Sequence, residues 1–130
     1  MEGEKRKILI VDDDTFLLDM YALKFSQNGF EVHTASGAEQ ALERLKGGLS
    51  PDILLTDIIM PGMDGFEMLK KINEGNLAVN SVRVILSNKG QHSDIEEGIK
   101  LGASGYIVKA NSTPVEVIAQ VIKIFEEKHK

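Results

Sequence analysis

Strand-length apolar runs alternate with segments of helical periodicity along this chain, and that alternation constrains the fold more than any other feature. The predicted strands end near residues 11, 35, 56, 86 and 108. The predicted helices lie at about residues 15–28, 37–47, 65–74, 93–101 and 113–127. Strict alternation favours a parallel sheet with right-handed crossovers and helices on both faces. We therefore predict a single α/β domain over residues 1–130, with a doubly wound five-stranded parallel sheet and five helices.

The last predicted helix is apolar on more than one face. We predict an inward stripe made by Val115, Ile118, Ala119 and Ile122. Four further apolar residues extend beyond that stripe: Val117, Val121, Ile124 and Phe125. A helix of this kind either packs deeply against a core or offers its surplus apolar surface to a partner.

One aspartate stands where a predicted buried strand gives way to a turn. Asp57 follows the run Ile53–Thr56, and residues 61–65 then turn the chain through Pro-Gly-Met-Asp-Gly. Open α/β sheets bind ligands beyond the carboxyl ends of their strands, which places Asp57 at the ligand edge. A carboxylate there can act as a nucleophile towards phosphorus. The simpler alternative is an aspartate that begins a loop.

The first strand ends in three consecutive acidic residues, Asp12, Asp13 and Asp14. Asp14 or Thr15 can cap the following helix, which accounts for one of the three. Two carboxylates about 4 Å apart repel by about 1–4 kcal/mol, depending on the effective dielectric constant. A cation such as Mg²⁺, which takes a few carboxylates and keeps several waters, explains the cluster better. The flavodoxin-like strand order 2-1-3-4-5 would bring Asp12, Asp13 and Asp57 together.

Two later strands end in residues suited to phosphate. The run 82–86 leads to Ser87, and the run 105–108 leads to Lys109. A hydroxyl can hydrogen-bond a phosphoryl oxygen, and an ammonium can pair with phosphate and carboxylate. Taken singly, a serine here is an ordinary turn residue and a lysine is usually solvated. The order of acidic pair, aspartate, hydroxyl and lysine at successive strand ends is what indicates phosphoryl chemistry.

At these positions the chain resembles the receiver domain of two-component response regulators, over residues 6–127. Asp12 and Asp13 match the family's acidic pair, and Asp57 matches its phosphoacceptor. Ser87 matches the switch serine or threonine, and Lys109 the invariant lysine. The chain looks most like single-domain members such as those of bacterial chemotaxis.

The resemblance extends to two loops and one aromatic residue. Residues 60–65 match the loop after the phosphoacceptor, and residues 102–106 match the entry to the last strand. Tyr106 matches the family's switch aromatic.

The resemblance implies a phosphorylation-activated switch that is not an enzyme in the ordinary sense. A sensor histidine kinase or phosphotransfer protein would donate a phosphoryl group to Asp57. The domain would catalyse only its own phosphorylation and dephosphorylation. Mg²⁺ would be the cofactor, with Asp12, Asp13, Asp57 and the backbone carbonyl of Ile59 as its protein ligands.

The resemblance also implies how the signal leaves the domain. Lys109 would pair with the phosphoryl group, and Ser87 would turn to hydrogen-bond it. Tyr106 would then move into the vacated space and change the face formed by the fourth helix, fifth strand and fifth helix. An unknown downstream protein would bind that face.

Four positions depart from the family pattern or fall where members differ. Lys109 is usually followed by proline, often in a cis bond, but Ala110 follows here. A cis bond to a residue other than proline costs about 2.5–4 kcal/mol, so we expect a trans bond. Asn88 occupies a position that is commonly small, so we expect it to alter access to the phosphoryl group and thereby to tune hydrolysis. Ile59 and Lys89 fall where members tune hydrolysis of the acyl phosphate, and neither is suited to orient an attacking water.

Composition narrows the classes of partner. The formal charge of −5 argues against a nucleic-acid-binding surface. The absence of cysteine excludes disulfides and cysteine metal sites. No apolar run approaches the roughly 20 residues that span a membrane, and residues 1–7 lack the apolar segment of a signal peptide. We therefore expect a cytoplasmic protein that contacts no membrane.

Two alternatives come from other functional classes. A pseudo-receiver would use the same fold only for docking, independently of phosphorylation; Asn88 and Ala110 favour it, and the retained acidic cluster opposes it. A haloacid-dehalogenase-type phosphatase would use Asp12 and Asp14 in a D-x-D-x-T/V motif. Phe16 occupies the last place of that motif, and the chain is about half the usual length.

Overall fold

The computed structural model describes residues 5–128, which form one parallel sheet covered by helices. The strands are β1 Lys7–Val11, β2 Glu31–Ala35, β3 Ile53–Thr56, β4 Val82–Ser87 and β5 Ala103–Val108. The helices are α1 Thr15–Gln27, α2 Ala38–Lys46, α3 Gly65–Glu74, α4 His92–Lys100 and α5 Pro114–Lys128, with a short 3₁₀ helix at Lys109–Asn111. The strand order β2-β1-β3-β4-β5 confirms the predicted flavodoxin-like arrangement.

The register of the sheet places the ends of β1 and β3 side by side. Val11, the last residue of β1, lies opposite Thr56, the last residue of β3. Thr56 in turn lies opposite Ile85 of β4. Because every strand pair is parallel, the carboxyl ends all meet at one edge of the sheet. The residues that follow Val11 and Thr56 therefore begin as neighbours.

Helices cover both faces of the sheet, which explains why its strands are apolar throughout. Ile8 and Ile10 of β1 point into a core shared with α1 and α5. Leu9 and Val11 point into a second core shared with α2 and α3. Successive side chains of a strand alternate between faces, so a sheet covered on both sides needs continuous apolar runs. None of the described helices is long and apolar enough to span a membrane.

The structure corrects the prediction for the inward face of α5. Val115 is 69% exposed and Ala119 is also exposed, although both were assigned to the buried stripe. The buried residues of α5 are Val117, Ile118, Val121 and Phe125. Both sets satisfy helical spacing, so periodicity alone cannot choose between the two overlapping stripes. The set predicted as surplus apolar surface is therefore largely core.

The first two helices each bury one face. In α1, Leu18, Tyr21 and Phe25 are buried, and Leu17 is buried less deeply than Leu18. The buried residues of α2 include Ala41, Leu42 and Leu45.

A glycine lets α3 begin directly behind Asp57. A Cβ atom at Gly65 would lie 2.9 Å from Cα of Ile58 and would also press on the backbone carbonyl of Asp57. The Gly65 N–H donates to the Ile58 carbonyl oxygen at 2.8 Å. Any side chain at this position must therefore displace backbone at the end of β3.

We expect Gly65→Ser to lower the free energy of unfolding by about 1–3 kcal/mol, because backbone must move to admit the side chain. Gly37→Ser is the matched control. Gly37 caps α2 in an extended conformation, and a Cβ there meets nothing within 4 Å. Serine is a good N-cap, so the control should be neutral or slightly stabilising. Urea denaturation measures both variants, and equal losses would contradict the steric argument.

Candidate metal and phosphoryl site

The carboxyl ends of β1 and β3 place three aspartates around an open pocket of about 340 Å³. One carboxylate oxygen from each of Asp12, Asp13 and Asp57 lies within 4.8 Å of the others. Asp12 and Asp57 are only 3% and 8% exposed, whereas Asp13 is exposed. The structure thus brings together the three carboxylates that the sequence predicted to lie close to one another. An all-oxygen set of this kind suits a hard divalent cation.

Backbone N–H groups orient the two buried carboxylates. Asp57 Oδ1 accepts from the Ile58 N–H at 2.6 Å and from the Ile59 N–H at 3.3 Å. Asp12 Oδ1 accepts from the Asp14 N–H at 2.9 Å. In both residues these bonds engage one oxygen and leave the other, Oδ2, to face a charged partner.

Asp14 has a separate, structural task. Its carboxylate accepts from the Leu17 N–H at 3.1 Å and so caps α1. This bond satisfies a donor that the first turn of a helix would otherwise leave unpaired. The capping role foreseen for Asp14 or Thr15 therefore belongs to Asp14.

Lys109 supplies the positive charge for both buried carboxylates. Its Nζ lies 2.8 Å from Asp12 Oδ2 and 2.7 Å from Asp57 Oδ2, and its side chain is 12% exposed. Burial works to lower the pKa of Lys109, but its hydrogen bonds to Asp12 and Asp57 outweigh burial and hold the pKa above its usual value. Burial raises the pKa of Asp12, against the opposing effect of Lys109.

The site carries excess negative charge. Of the described residues that line the pocket, Lys109 is the only cation, facing Asp12, Asp13 and Asp57. One ammonium cannot neutralise three carboxylates, and their mutual repulsion grows where water is excluded. The remaining charge favours a bound divalent cation.

Ser87 and Tyr106 do not line the pocket; both instead contact the backbone of Lys89. Ser87 is fully buried at the end of β4, and its Oγ accepts from the Lys89 N–H at 3.2 Å. The Tyr106 hydroxyl donates to the Lys89 carbonyl oxygen. Sequence reasoning named both residues but did not foresee that one peptide segment joins them.

The ring of Tyr106 packs against α4 at a glycine. A Cβ atom at Gly98 would lie 3.3 Å from the ring. Burial, followed by the negative charges of Asp94 and Asp57, raises the pKa of Tyr106 to about 12. The raised pKa further favours the neutral hydroxyl, which is the form that donates to Lys89.

Two of the three candidates for tuning hydrolysis lie at the pocket. Ile59, which is 59% exposed, and Asn88 both line it. The Lys89 ammonium lies elsewhere, 3.8 Å from Asp94 Oδ1 and 5.8 Å from the centre of the Phe66 ring. In this conformation Lys89 does not cover the site.

One contact at the site was missed by sequence reasoning. The described residues contain no cis peptide bond, so the bond between Lys109 and Ala110 is trans, as expected. The Ala110 N–H donates to Asn88 Oδ1 at 2.9 Å. A residue in place of proline brings an N–H that needs an acceptor, and that requirement was the available signal.

Comparison with known proteins gives a family match over most of the chain. Residues 8–122 match the model of the response regulator receiver domain. The transcriptional regulatory protein PhoP for alkaline phosphatase synthesis of Bacillus subtilis is 33% identical over 116 residues, covering 89% of this chain and 47% of that protein. The phosphate regulon transcriptional regulatory protein PhoB of Pseudomonas aeruginosa is 31% identical, with 89% and 50% covered. The chain thus spans about half the length of these curated relatives.

Solved structures agree in fold across nearly the whole chain. A CheY-like receiver domain protein from Methanospirillum hungatei is 25% identical with a TM-score of 0.86, covering 97% of this chain and 98% of that one. The chemotaxis protein CheY4 of Vibrio cholerae is 26% identical with a TM-score of 0.84, covering 93% and 99%. A putative response regulator from Chloroflexus aurantiacus is 31% identical with a TM-score of 0.82, covering 95% and 99%.

These matches give no support to the phosphatase or to the docking-only alternative. The chain belongs to the response regulator receiver domain family, whose members are phosphorylation-activated signalling domains.

Proposed function

We propose that Asp57 accepts a phosphoryl group from a sensor histidine kinase or a phosphotransfer protein, in a Mg²⁺-dependent step that the domain itself catalyses in the cytoplasm. The main support is the position of Lys109, whose Nζ bridges Asp12 and Asp57 at 2.8 and 2.7 Å. Because the backbone holds Asp57 Oδ1, Oδ2 is the oxygen aimed at a reactant. Attack by this oxygen forms the O–P bond while the donor's N–P bond breaks.

Mg²⁺ would be held by Asp12, Asp13, Asp57 and the backbone carbonyl of Ile59. When bound, it supplies charge neutralisation for the equatorial oxygens of the transferring group. The protein's own contribution is to position the carboxylates before reaction, through the N–H groups of the two loops. That fixed arrangement lowers the reorganisation that transfer requires.

Lys109 and Ser87 would then contact the phosphoryl group. Lys109 would exchange its bond to Asp57 for one to a phosphoryl oxygen while keeping Asp12. Ser87 Oγ would turn from the Lys89 N–H towards a second oxygen. Since the Lys89 carbonyl accepts from Tyr106, movement of this segment would release the Tyr106 hydroxyl as well.

The proposed output is protein–protein contact through the surface of α4, β5 and α5, which Tyr106 helps to form. The two named relatives are transcriptional regulatory proteins about twice as long as this chain. For this domain itself, the net charge of −5 argues against direct contact with nucleic acid. The downstream partner we propose is therefore a protein.

The first test of this proposal is phosphorylation by acetyl phosphate with Mg²⁺. Wild type should gain the mass of one phosphoryl group, and hydroxylamine should reverse the gain because it cleaves acyl phosphates. Asp57→Asn should stay unmodified in intact mass spectra. Equal labelling of that variant would assign the phosphoryl group to another residue.

The charge balance of the site predicts opposite changes in stability for two variants in chelator. Lys109→Met leaves Asp12 and Asp57 without their ammonium and should lower the free energy of unfolding by about 1–3 kcal/mol. Asp57→Asn removes one of three repelling charges while Lys109 keeps Asp12, so its melting temperature should rise. Mg²⁺ should stabilise wild type by mass action, and Asp57→Asn less. Scanning calorimetry measures all three, and a loss of stability in both variants would contradict the proposed balance.

Ile59 should slow hydrolysis of the acyl phosphate, since it lines the pocket and its side chain offers no acceptor to orient water. Ile59→Asn should therefore speed decay several-fold after the donor is removed. Lys89→Glu is the comparison, because the Lys89 ammonium lies on Asp94 and should affect decay less. Phosphate release reports both rates. Decay of Ile59→Asn at the wild-type rate would exclude Ile59 as the cause.

A further inference from the structure

We propose that Asn88 is a positioning residue, whose side chain holds the backbone after Lys109 and thereby sets the reach of the Lys109 ammonium to Asp12 and Asp57. This inference rests on the proposed function, since its consequence is a rate of phosphoryl transfer to Asp57. The observation that carries it is the 2.9 Å hydrogen bond from the Ala110 N–H to Asn88 Oδ1.

The segment that Asn88 holds has little support from its own backbone. Ala110 is the middle residue of the 3₁₀ helix Lys109–Asn111. The first N–H groups of a helix have no acceptor within it, so the Ala110 N–H needs one from outside. The bond that closes this helix, from the Ser112 N–H to the Lys109 carbonyl, is long at 3.4 Å. The hydrogen bond to Asn88 is therefore shorter than the bond that closes the 3₁₀ helix.

Peptide planarity carries the effect of this tie to Lys109. The Ala110 N–H and the Lys109 carbonyl belong to one rigid peptide unit. Fixing the N–H direction therefore fixes the orientation of the Lys109 backbone, from which the side chain reaches Asp12 and Asp57. A long side chain that must meet two carboxylates at once gains from a fixed origin, because less backbone entropy remains to be lost when both contacts form.

The assignment of the Asn88 amide follows from chemistry. A backbone N–H can only donate, so the atom facing Ala110 must be the carbonyl oxygen Oδ1 and not the amide nitrogen. Asn88 also follows Ser87 directly in the chain and lines the pocket with Asp57. The loop that follows the buried Ser87 is thus the loop that anchors the backbone after Lys109.

The test compares wild type with Asn88→Ala, Ala110→Pro and the double variant, with phosphorylation rates measured at saturating Mg²⁺. Asn88→Ala should accelerate hydrogen exchange of the Ala110 amide. It should also slow phosphorylation by acetyl phosphate about fivefold, the factor that loss of one hydrogen bond implies. Mg²⁺ affinity, measured by calorimetry, should be retained or increased, because a loosened Lys109 competes less for the carboxylates. Asn111→Ala, an exposed asparagine in the same 3₁₀ helix, is the matched control and should leave all three quantities unchanged.

The double variant separates an anchor from a general structural role. Ala110→Pro removes the donor, so adding Asn88→Ala to it should cause no further loss of rate. A wild-type rate in Asn88→Ala, an equal loss in the Ala110→Pro background, or a loss of Mg²⁺ affinity alongside the rate would each overturn the inference. If Ala110→Pro does not fold, the single variant and its control decide. If wild type itself is not phosphorylated, the proposed function fails, while exchange of the Ala110 amide still reports whether Asn88 anchors this backbone.

Discussion

The ammonium of Lys109, shared between Asp12 and Asp57, is the interaction on which the rest of the site depends. Lys109 follows β5, whereas Asp12 and Asp57 follow β1 and β3, and β4 lies between. The lysine therefore reaches across the carboxyl edge of the sheet and joins the ends of three strands. Breaking such a partly buried pair leaves charge without compensation, which is costly. The edge at which we propose that reactants bind is for this reason also an edge that holds the sheet together.

The sequence was sufficient to predict the residues at this edge, because residues that follow successive strands of a parallel sheet become neighbours in the fold. Each of the predicted residues ends a strand or follows one directly: Asp12, Asp57, Ser87 and Lys109. Parallel pairing brings the carboxyl ends of the strands to one edge, independently of how the loops run. The prediction failed for α5, which has two apolar stripes at helical spacing. Only packing against α1, β4 and β5 selects the stripe with Val117 and Val121. The bond between Asn88 and Ala110 joins residues 22 apart in sequence, and no local pattern encodes it.

Two departures from the family pattern become one feature in three dimensions. Taken separately, Asn88 was expected to alter access to the phosphoryl group and Ala110 to follow a trans bond, and both favoured the docking-only alternative. In the structure the side chain of one satisfies the backbone of the other. A proline restrains a turn by its ring, and here a side-chain acceptor restrains the same turn through a hydrogen bond. The loop after Lys109 is thus hydrogen-bonded to the segment after Ser87. A proline at position 110 has no N–H and could not form this bond.

The contacts of Lys89 with Ser87 and Tyr106 are made entirely by its main chain, through the N–H on one side and the carbonyl on the other. Every amino acid except proline carries both groups. Replacing the side chain of Lys89 would therefore leave its backbone bonds to Ser87 and Tyr106 in place. An alanine scan would not detect this link. The side chain at position 89 can therefore be exchanged while the backbone keeps the same contacts, so a neutral substitution there would not show that the position lacks a role.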